Sequence, residues 1–147
     1  MEQTVNLARM LLIDDNPVDQ ESVVRTLRKI NSRMTVDILS TGEEAVHFLE
    51  QIAGSQDKTR FPDLILLDLK LERFSGLEIL KQIKRNEFLN IIPTIIFSSS
   101  RSRNDIRESY RLGANGFVTK PHSLDGLVDT MQRIVDFWGD TAELPTP

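Results

Sequence analysis

The stretch Pro62-Asp63-Leu64-Ile65-Leu66-Leu67-Asp68 decides the fold. Four consecutive aliphatics between two acids read as a strand buried on both faces, as in a parallel sheet. A carboxylate at the carboxyl end of such a strand, Asp68, lies where open α/β sheets place their chemistry. Three further aliphatic runs also end in polar groups. Met10-Leu11-Leu12-Ile13 leads into Asp14-Asp15, Thr94-Ile95-Ile96-Phe97 into Ser98-Ser99-Ser100, and Gly116-Phe117-Val118-Thr119 into Lys120-Pro121. An acid pair, a lone acid, a hydroxyl and a lysine at four strand ends predict one polar pocket.

Helical segments lie between these runs. Pro17 suits the first turn of a helix reaching about Ile30, with Asn16 as its cap and Val23, Val24, Leu27 and Ile30 as its apolar stripe. Met34 to Leu39 alternates weakly and reads as an edge strand. Ser40-Thr41-Gly42-Glu43-Glu44 opens a second helix with the stripe Ala45, Val46, Phe48, Leu49 and Ile52. Gly54 to Arg60 is polar and reads as a flexible loop, and Leu69 to Phe74 reads as a loop. Ser75-Gly76 opens a third helix, and a more polar fourth runs from Arg103 to about Leu112 and stops at Gly113. Ser123 caps a last helix that ends near Trp138-Gly139, with Leu124, Leu127, Val128, Met131, Ile134 and Val135 on its buried side. Five strands alternating with five helices predict an α/β fold, a doubly wound five-stranded parallel sheet.

The bulk composition narrows the function. A chain of 147 residues suits one domain, and 39% hydrophobic with 27% charged residues is ordinary for a soluble one. A net charge of −4 gives no reason to expect nucleic acid as a partner. The absence of cysteine excludes disulfides and thiolate metal sites. No apolar run approaches membrane-spanning length, and Met1-Glu2-Gln3-Thr4 lacks the pattern of a secretory signal, so a cytoplasmic protein without membrane contact is expected.

Carboxylates converging beside water favour a hard divalent cation. Mg²⁺ takes oxygen ligands and keeps several waters, and Asp14, Asp15 and Asp68 can hold it while it relieves their mutual repulsion. A lysine opposite, Lys120, balances charge and pairs with an incoming anion. An aspartate so placed is arranged to attack phosphorus and become an acyl phosphate.

With these residues in view, the chain resembles the receiver domains of two-component response regulators over residues 8–138. The resemblance rests on Leu12-Ile13-Asp14-Asp15-Asn16, Pro62 through Asp68, Ser75-Gly76, Pro93 through Ser98, and Phe117-Val118-Thr119-Lys120-Pro121, in that order. It implies a flavodoxin-like (βα)5 fold with strand order 2-1-3-4-5. It also implies that Asp68 is the phosphoacceptor and that Asp15 and the Lys70 main-chain carbonyl are Mg²⁺ ligands, with Asp14 acting through water. Ser98 would be the switch hydroxyl, Lys120 the phosphoryl partner and Phe117 the aromatic that changes rotamer. A cis Lys120–Pro121 bond is suggested too. The expected division is a receiver domain over residues 1–139 and a short tail over 140–147.

The polar insert before Pro62, Ser98-Ser99-Ser100, Ser109-Tyr110 and Asp136-Phe137-Trp138 are similar to the small stand-alone regulators serving bacterial phytochrome-type histidine kinases. That similarity implies a sensor histidine kinase partner and a homodimer. The chain departs from the wider family in having Glu72 where proline is common, serine at the switch position and Phe117 in place of the frequent tyrosine. Lys70 adds a cation at the pocket rim, where its ammonium is expected to reach the phosphoryl group or the attacking water. An unchanged autodephosphorylation rate in Lys70→Ala would refute that expectation.

Each residue also has a plainer reading. Asp14-Asp15 could cap the first helix, Ser98 could belong to a polar turn, and Phe117 reads equally as plain core. Ser99 and Ser100 read as structural, and His47 and His122 as surface residues. Phe137 and Trp138 fit either a helix end packed on its own domain or an exposed interface. Three functions compete: a phosphorylation switch with no enzyme activity of its own beyond self-phosphorylation and dephosphorylation, a phosphorylation-independent scaffold, and an aspartyl-phosphate hydrolase of the haloacid-dehalogenase type. The hydrolase would need an acid two residues after Asp68, where Lys70 stands.

Overall fold

The computed structural model describes residues 7–55 and 57–145; the N-terminal tetrapeptide and the last two residues of the tail fall outside them. Five strands form one parallel sheet: β1 (Arg9–Ile13), β2 (Thr35–Leu39), β3 (Leu64–Leu67), β6 (Thr94–Ser98) and β7 (Gly116–Thr119). A separate two-stranded ribbon, β4 (Lys70–Leu71) and β5 (Phe74–Ser75), follows β3. The sheet order is β2-β1-β3-β6-β7, which is the expected 2-1-3-4-5 once the ribbon is set aside. The helices are α1 (Pro17–Ile30), α2 (Gly42–Ala53), α3 (Gly76–Arg85), α4 (Arg103–Arg111) and α5 (Leu124–Asp136).

The aliphatic runs serve two layers at once because successive side chains on a strand point to opposite faces. Leu11, Ile13, Ile65 and Leu67 pack under α2 and α3 with Ala45, Leu49, Ile79 and Leu80. Met10, Leu12, Leu64 and Leu66 pack under α1 and α5 with Val23, Leu27, Leu127 and Met131. Full burial of each such side chain contributes about 1.5–3 kcal/mol. The edge strand β2 is only partly covered, and Ile38 stands exposed on it.

Helix starts follow the capping residues. The Asn16 side chain accepts from the Val18 and Asp19 N–H groups, and Thr41, Ser75, Ser102 and Ser123 cap α2, α3, α4 and α5 in the same way. At the other end of α4, Gly113 takes a φ of 102°, which favours glycine.

Four expectations are corrected. Leu69 to Phe74 is not a plain loop. Leu69 and Leu71 are buried while Lys70 is exposed, and this alternation draws the segment onto the core as a ribbon that turns at Glu72-Arg73. Within Gly54 to Arg60, Asp57 caps a short 3-10 turn at Lys58–Arg60. Leu124 and Val128 are 66% and 43% exposed, because the stripe Leu127, Met131, Ile134 and Val135 already fills the contact with the sheet. The Lys120–Pro121 bond is trans. Trans is favoured by about 0.5–1 kcal/mol at X–Pro bonds. The last helix passes into a π-helical turn at Phe137–Thr141, in which Trp138 packs on the α1/α5 core and Phe137 is 50% exposed. Among the described residues no helix is long and apolar enough to cross a membrane.

Candidate functional site: an acid cluster around Lys120

The sheet delivers its polar residues to one edge. Asp14 follows β1, Asp68 follows β3, Ser98 ends β6 and Lys120 follows β7, all at the carboxyl ends of adjacent parallel strands. The ladder continues past the strands and fixes the turning points: Asp14 N–H donates to the Leu39 carbonyl at 3.1 Å and Asp68 N–H to the Ile13 carbonyl at 2.9 Å. Gly76 lets α3 start tightly against this edge. A Cβ there would lie 2.1 Å from the Asp68 carbonyl oxygen and 2.7 Å from Leu69 Cα, so only glycine fits.

Lys120 is the hub. Its Nζ donates to Asp14 Oδ2, Asp68 Oδ2 and Asp19 Oδ2, each at 2.8 Å. Asp14 Oδ1 accepts from the Asn16 N–H at 2.9 Å, and Asp68 Oδ1 from the Lys70 N–H at 3.3 Å. Asp15 Oδ2 accepts from the Glu72 N–H at 3.0 Å, which ties the ribbon turn to the site. A proline at position 72 would have no N–H to give. Gln20 holds the Asp14 carbonyl from the first turns of α1 and also donates to Ser40 Oγ.

The electrostatics follow from this crowding. Burial raises the pKa of Asp14, and the bond from Lys120 returns only part of that, because one ammonium is divided among three carboxylates. Burial works against the Lys120 charge as well, yet its bonds to Asp14, Asp19 and Asp68 together outweigh this and lift it above the usual lysine range.

Asp14, Asp15 and Asp68 each offer one carboxylate oxygen, and these atoms lie within 4.8 Å of one another. Three hard oxygen donors beside exposed solvent fit a divalent cation of the Mg²⁺ kind. The site therefore brings together Asp14, Asp15, Asp68 and Lys120 as expected. Ser98 is fully buried at the neighbouring strand end, and its Oγ accepts from the Ser100 N–H at 3.2 Å. Ser100 has a structural part: its hydroxyl donates to Asp105 Oδ2 at 2.6 Å and accepts from Ser102 N–H. Phe117 is partly buried against the α2/α3 core, opposite Ile96 in the ladder. Lys70 keeps its side chain in solvent and meets the site through its main-chain N–H. His47 and His122 are exposed.

Asp19 is the residue that sequence reasoning missed. An acid in the first turn of a helix is explained by the helix dipole alone. Its place in the first turn of α1, four residues after Asp15, is the signal that could have found it.

Residues 10–132 match the response regulator receiver domain family. The response regulator Rcp1 of Synechocystis is 35% identical over 92% of this chain and 92% of its own. The crystal structure of the phosphorylated cyanobacterial phytochrome response regulator RcpA superposes with a TM-score of 0.85 at 34% identity, covering 94% of this chain and 98% of that one. The Mn²⁺-bound form of Rcp1 superposes with a TM-score of 0.82 at 34% identity, over 94% of this chain and 99% of that one.

Proposed function

The chain belongs to the response regulator receiver domains, and from that premise we propose that it is a phosphorylation-controlled switch with Asp68 as the phosphoacceptor. A carboxylate oxygen of Asp68 attacks phosphorus, an O–P bond forms, the bond from phosphorus to the donor's leaving group breaks, and the leaving group departs with that electron pair. The donor is the phosphohistidine of a sensor kinase or a small acyl phosphate. Lys120 moves its N–H from Asp68 to a phosphoryl oxygen and neutralises part of the added charge. Asp14, Asp15, Asp68 and the Lys70 carbonyl would hold Mg²⁺, with Asp14 acting through water; when bound, the ion supplies further charge neutralisation at the phosphoryl oxygens.

The observation that carries this reading is the meeting of Asp68 and Asp14 on one half-buried ammonium at 2.8 Å, with the Asp15 carboxylate in the same oxygen cluster. The Ser98 hydroxyl would leave Ser100 N–H for the phosphoryl group, and Phe117 would follow inward. That remodels the face formed by α4, β7 and α5, as a two-state shift biased by one local charge event. The likeness to Rcp1 and RcpA supports a phytochrome-type sensor histidine kinase as the partner and a cytoplasmic setting. Exposed Tyr110, Leu124, Val128 and Phe137 support a homodimer built on this face. The receiver unit would span residues 1–139, with a tail over 140–147. The hydrolase reading has no acid at Lys70 to serve it.

The test is phosphate incorporation from a labelled small acyl phosphate with Mg²⁺. Labelling that needs Mg²⁺ and vanishes in Asp68→Asn is expected. A wild type that stays unlabelled, even with candidate sensor kinases, would favour a phosphorylation-independent scaffold instead.

A further inference from the structure

An ammonium has three N–H donors, and at Lys120 each one meets a carboxylate at 2.8 Å. Two of these carboxylates, Asp14 and Asp68, belong to the oxygen cluster that fits a divalent cation, while Asp19 stands outside it. Lys120 and a cation therefore compete for Asp14 and Asp68. Asp19 takes its share of the ammonium's charge from a position where it costs the cation nothing.

Asp19 is built for this placement. It lies in the first turn of α1, its own N–H is held by Asn16 Oδ1 at 3.1 Å, and its side chain reaches a lysine 101 residues away in sequence. Its side chain is 37% exposed, against 1% for Asp14 and 8% for Asp68. It can thus keep the lysine occupied at the rim without adding another buried charge.

We propose that Asp19 is a positioning residue for the cation site: it draws Lys120 to the α1 side, so that Asp14 and Asp68 remain available to a divalent cation. The inference rests on the reading of Asp14, Asp15 and Asp68 as the cation-binding carboxylates. Two effects of its removal have the same sign. The site loses a negative charge, and Lys120 bears harder on the two carboxylates that remain.

The experiment is a Mn²⁺ titration of the full chain, with free ion read by electron paramagnetic resonance. Outer partners of metal ligands typically carry 10- to 100-fold in affinity. Solvent screening at a partly exposed acid lowers the expectation for Asp19→Asn to a loss of about 3- to 10-fold. Asp19→Glu, which can still reach Lys120, should stay within about twofold of the wild type by the same scale. Asp136→Asn removes one charge at the far end of α5 and should leave affinity unchanged. In a Lys120→Met background the Asp19→Asn effect should shrink to less than about twofold, which is the signature of coupling through the lysine.

An equal loss in both backgrounds, or a loss in Asp19→Asn no larger than in Asp136→Asn, overturns the proposal. The second comparison carries the test if Lys120→Met does not fold. A wild type that binds no Mn²⁺, or binding unaffected by Asp68→Asn, refutes the underlying cation site instead; binding that needs Asp68 but ignores Asp19 refutes this inference alone.

Discussion

Replacing Lys120 by methionine keeps most of the side-chain volume and removes the cation from the centre of the acid cluster. Three ion pairs at 2.8 Å are lost. The pairs to Asp14 and Asp68 are buried, and removing one partner of a buried pair costs about 3–5 kcal/mol because the other charge is stranded. The pair to Asp19 is partly exposed and adds less than about 1 kcal/mol. Relief of the lysine's own burial offsets part of the sum, so we expect a net loss of about 3 kcal/mol in metal-free solution. For a chain of this size that lowers Tm by about 10 °C. The assay is thermal unfolding in chelator across pH.

The pH dependence has a definite sign. Lys120 has its pKa raised in the fold, so its contribution is fully present below the unfolded value of 10.5 and is lost as pH rises above it. Asp14 protonates above its ordinary 3.8, so the deficit of the variant should start to close before that value is reached. Added Mg²⁺ should close it as well, by binding the folded state. A neutral-pH deficit below about 1 kcal/mol, within the range of exposed ion pairs, or a deficit that is the same in acid and at neutrality, would refute the reasoning.

Gly76→Ala should be severely destabilising, above the about 1–3 kcal/mol of ordinary overpacking, because the new Cβ meets the backbone of Asp68 and Leu69. Gly42→Ala would bring a Cβ within 2.3–2.5 Å of Phe74 Cγ, Cβ and Cδ2, so Phe74 and the ribbon that carries it must move, and denaturant unfolding should show a clear loss for this variant as well. Ser98→Ala strands the Ser100 N–H and should cost about 1–3 kcal/mol; in the proposed switch it should keep phosphate labelling while losing any phosphate-dependent change of oligomer size, and Ser98→Thr should restore that change. Lys84 bonds the Ile92 carbonyl at 3.1 Å and Asn115 Oδ1 at 3.0 Å, so Lys84→Met should loosen the Asn86–Pro93 segment and lower stability by about 1–3 kcal/mol, seen as faster amide exchange there.

Much of this was legible because the strands carry their own markers. An aliphatic run ending in Asp68 or Asp14 announces both a buried parallel strand and a group at its carboxyl end. Capping residues such as Asn16 and Ser123 fixed helix starts through local bonds. What escaped was set by partners distant in sequence. The alternation Leu69-Lys70-Leu71 is too short to separate a ribbon from a loop, and what secures it is the bond from Glu72 N–H to Asp15, 57 residues away. Leu124 and Val128 have the chemistry of core residues, but α5 has more apolar positions than the sheet can cover. Asp19 joins the site only because β7 brings Lys120 to the first turn of α1.

The most direct measurement is the location of the phosphoryl group. The protein is treated with a small acyl phosphate and Mg²⁺, the acyl phosphate is reduced with borohydride, and the peptides are read by mass spectrometry. Reduction converts an aspartyl phosphate to the corresponding alcohol, so the account predicts that mass change on the peptide carrying Asp68 and its absence in Asp68→Asn. A change confined to Asp14, Asp15 or Asp19, or phosphate found on a serine or histidine with Asp68 untouched, would contradict it.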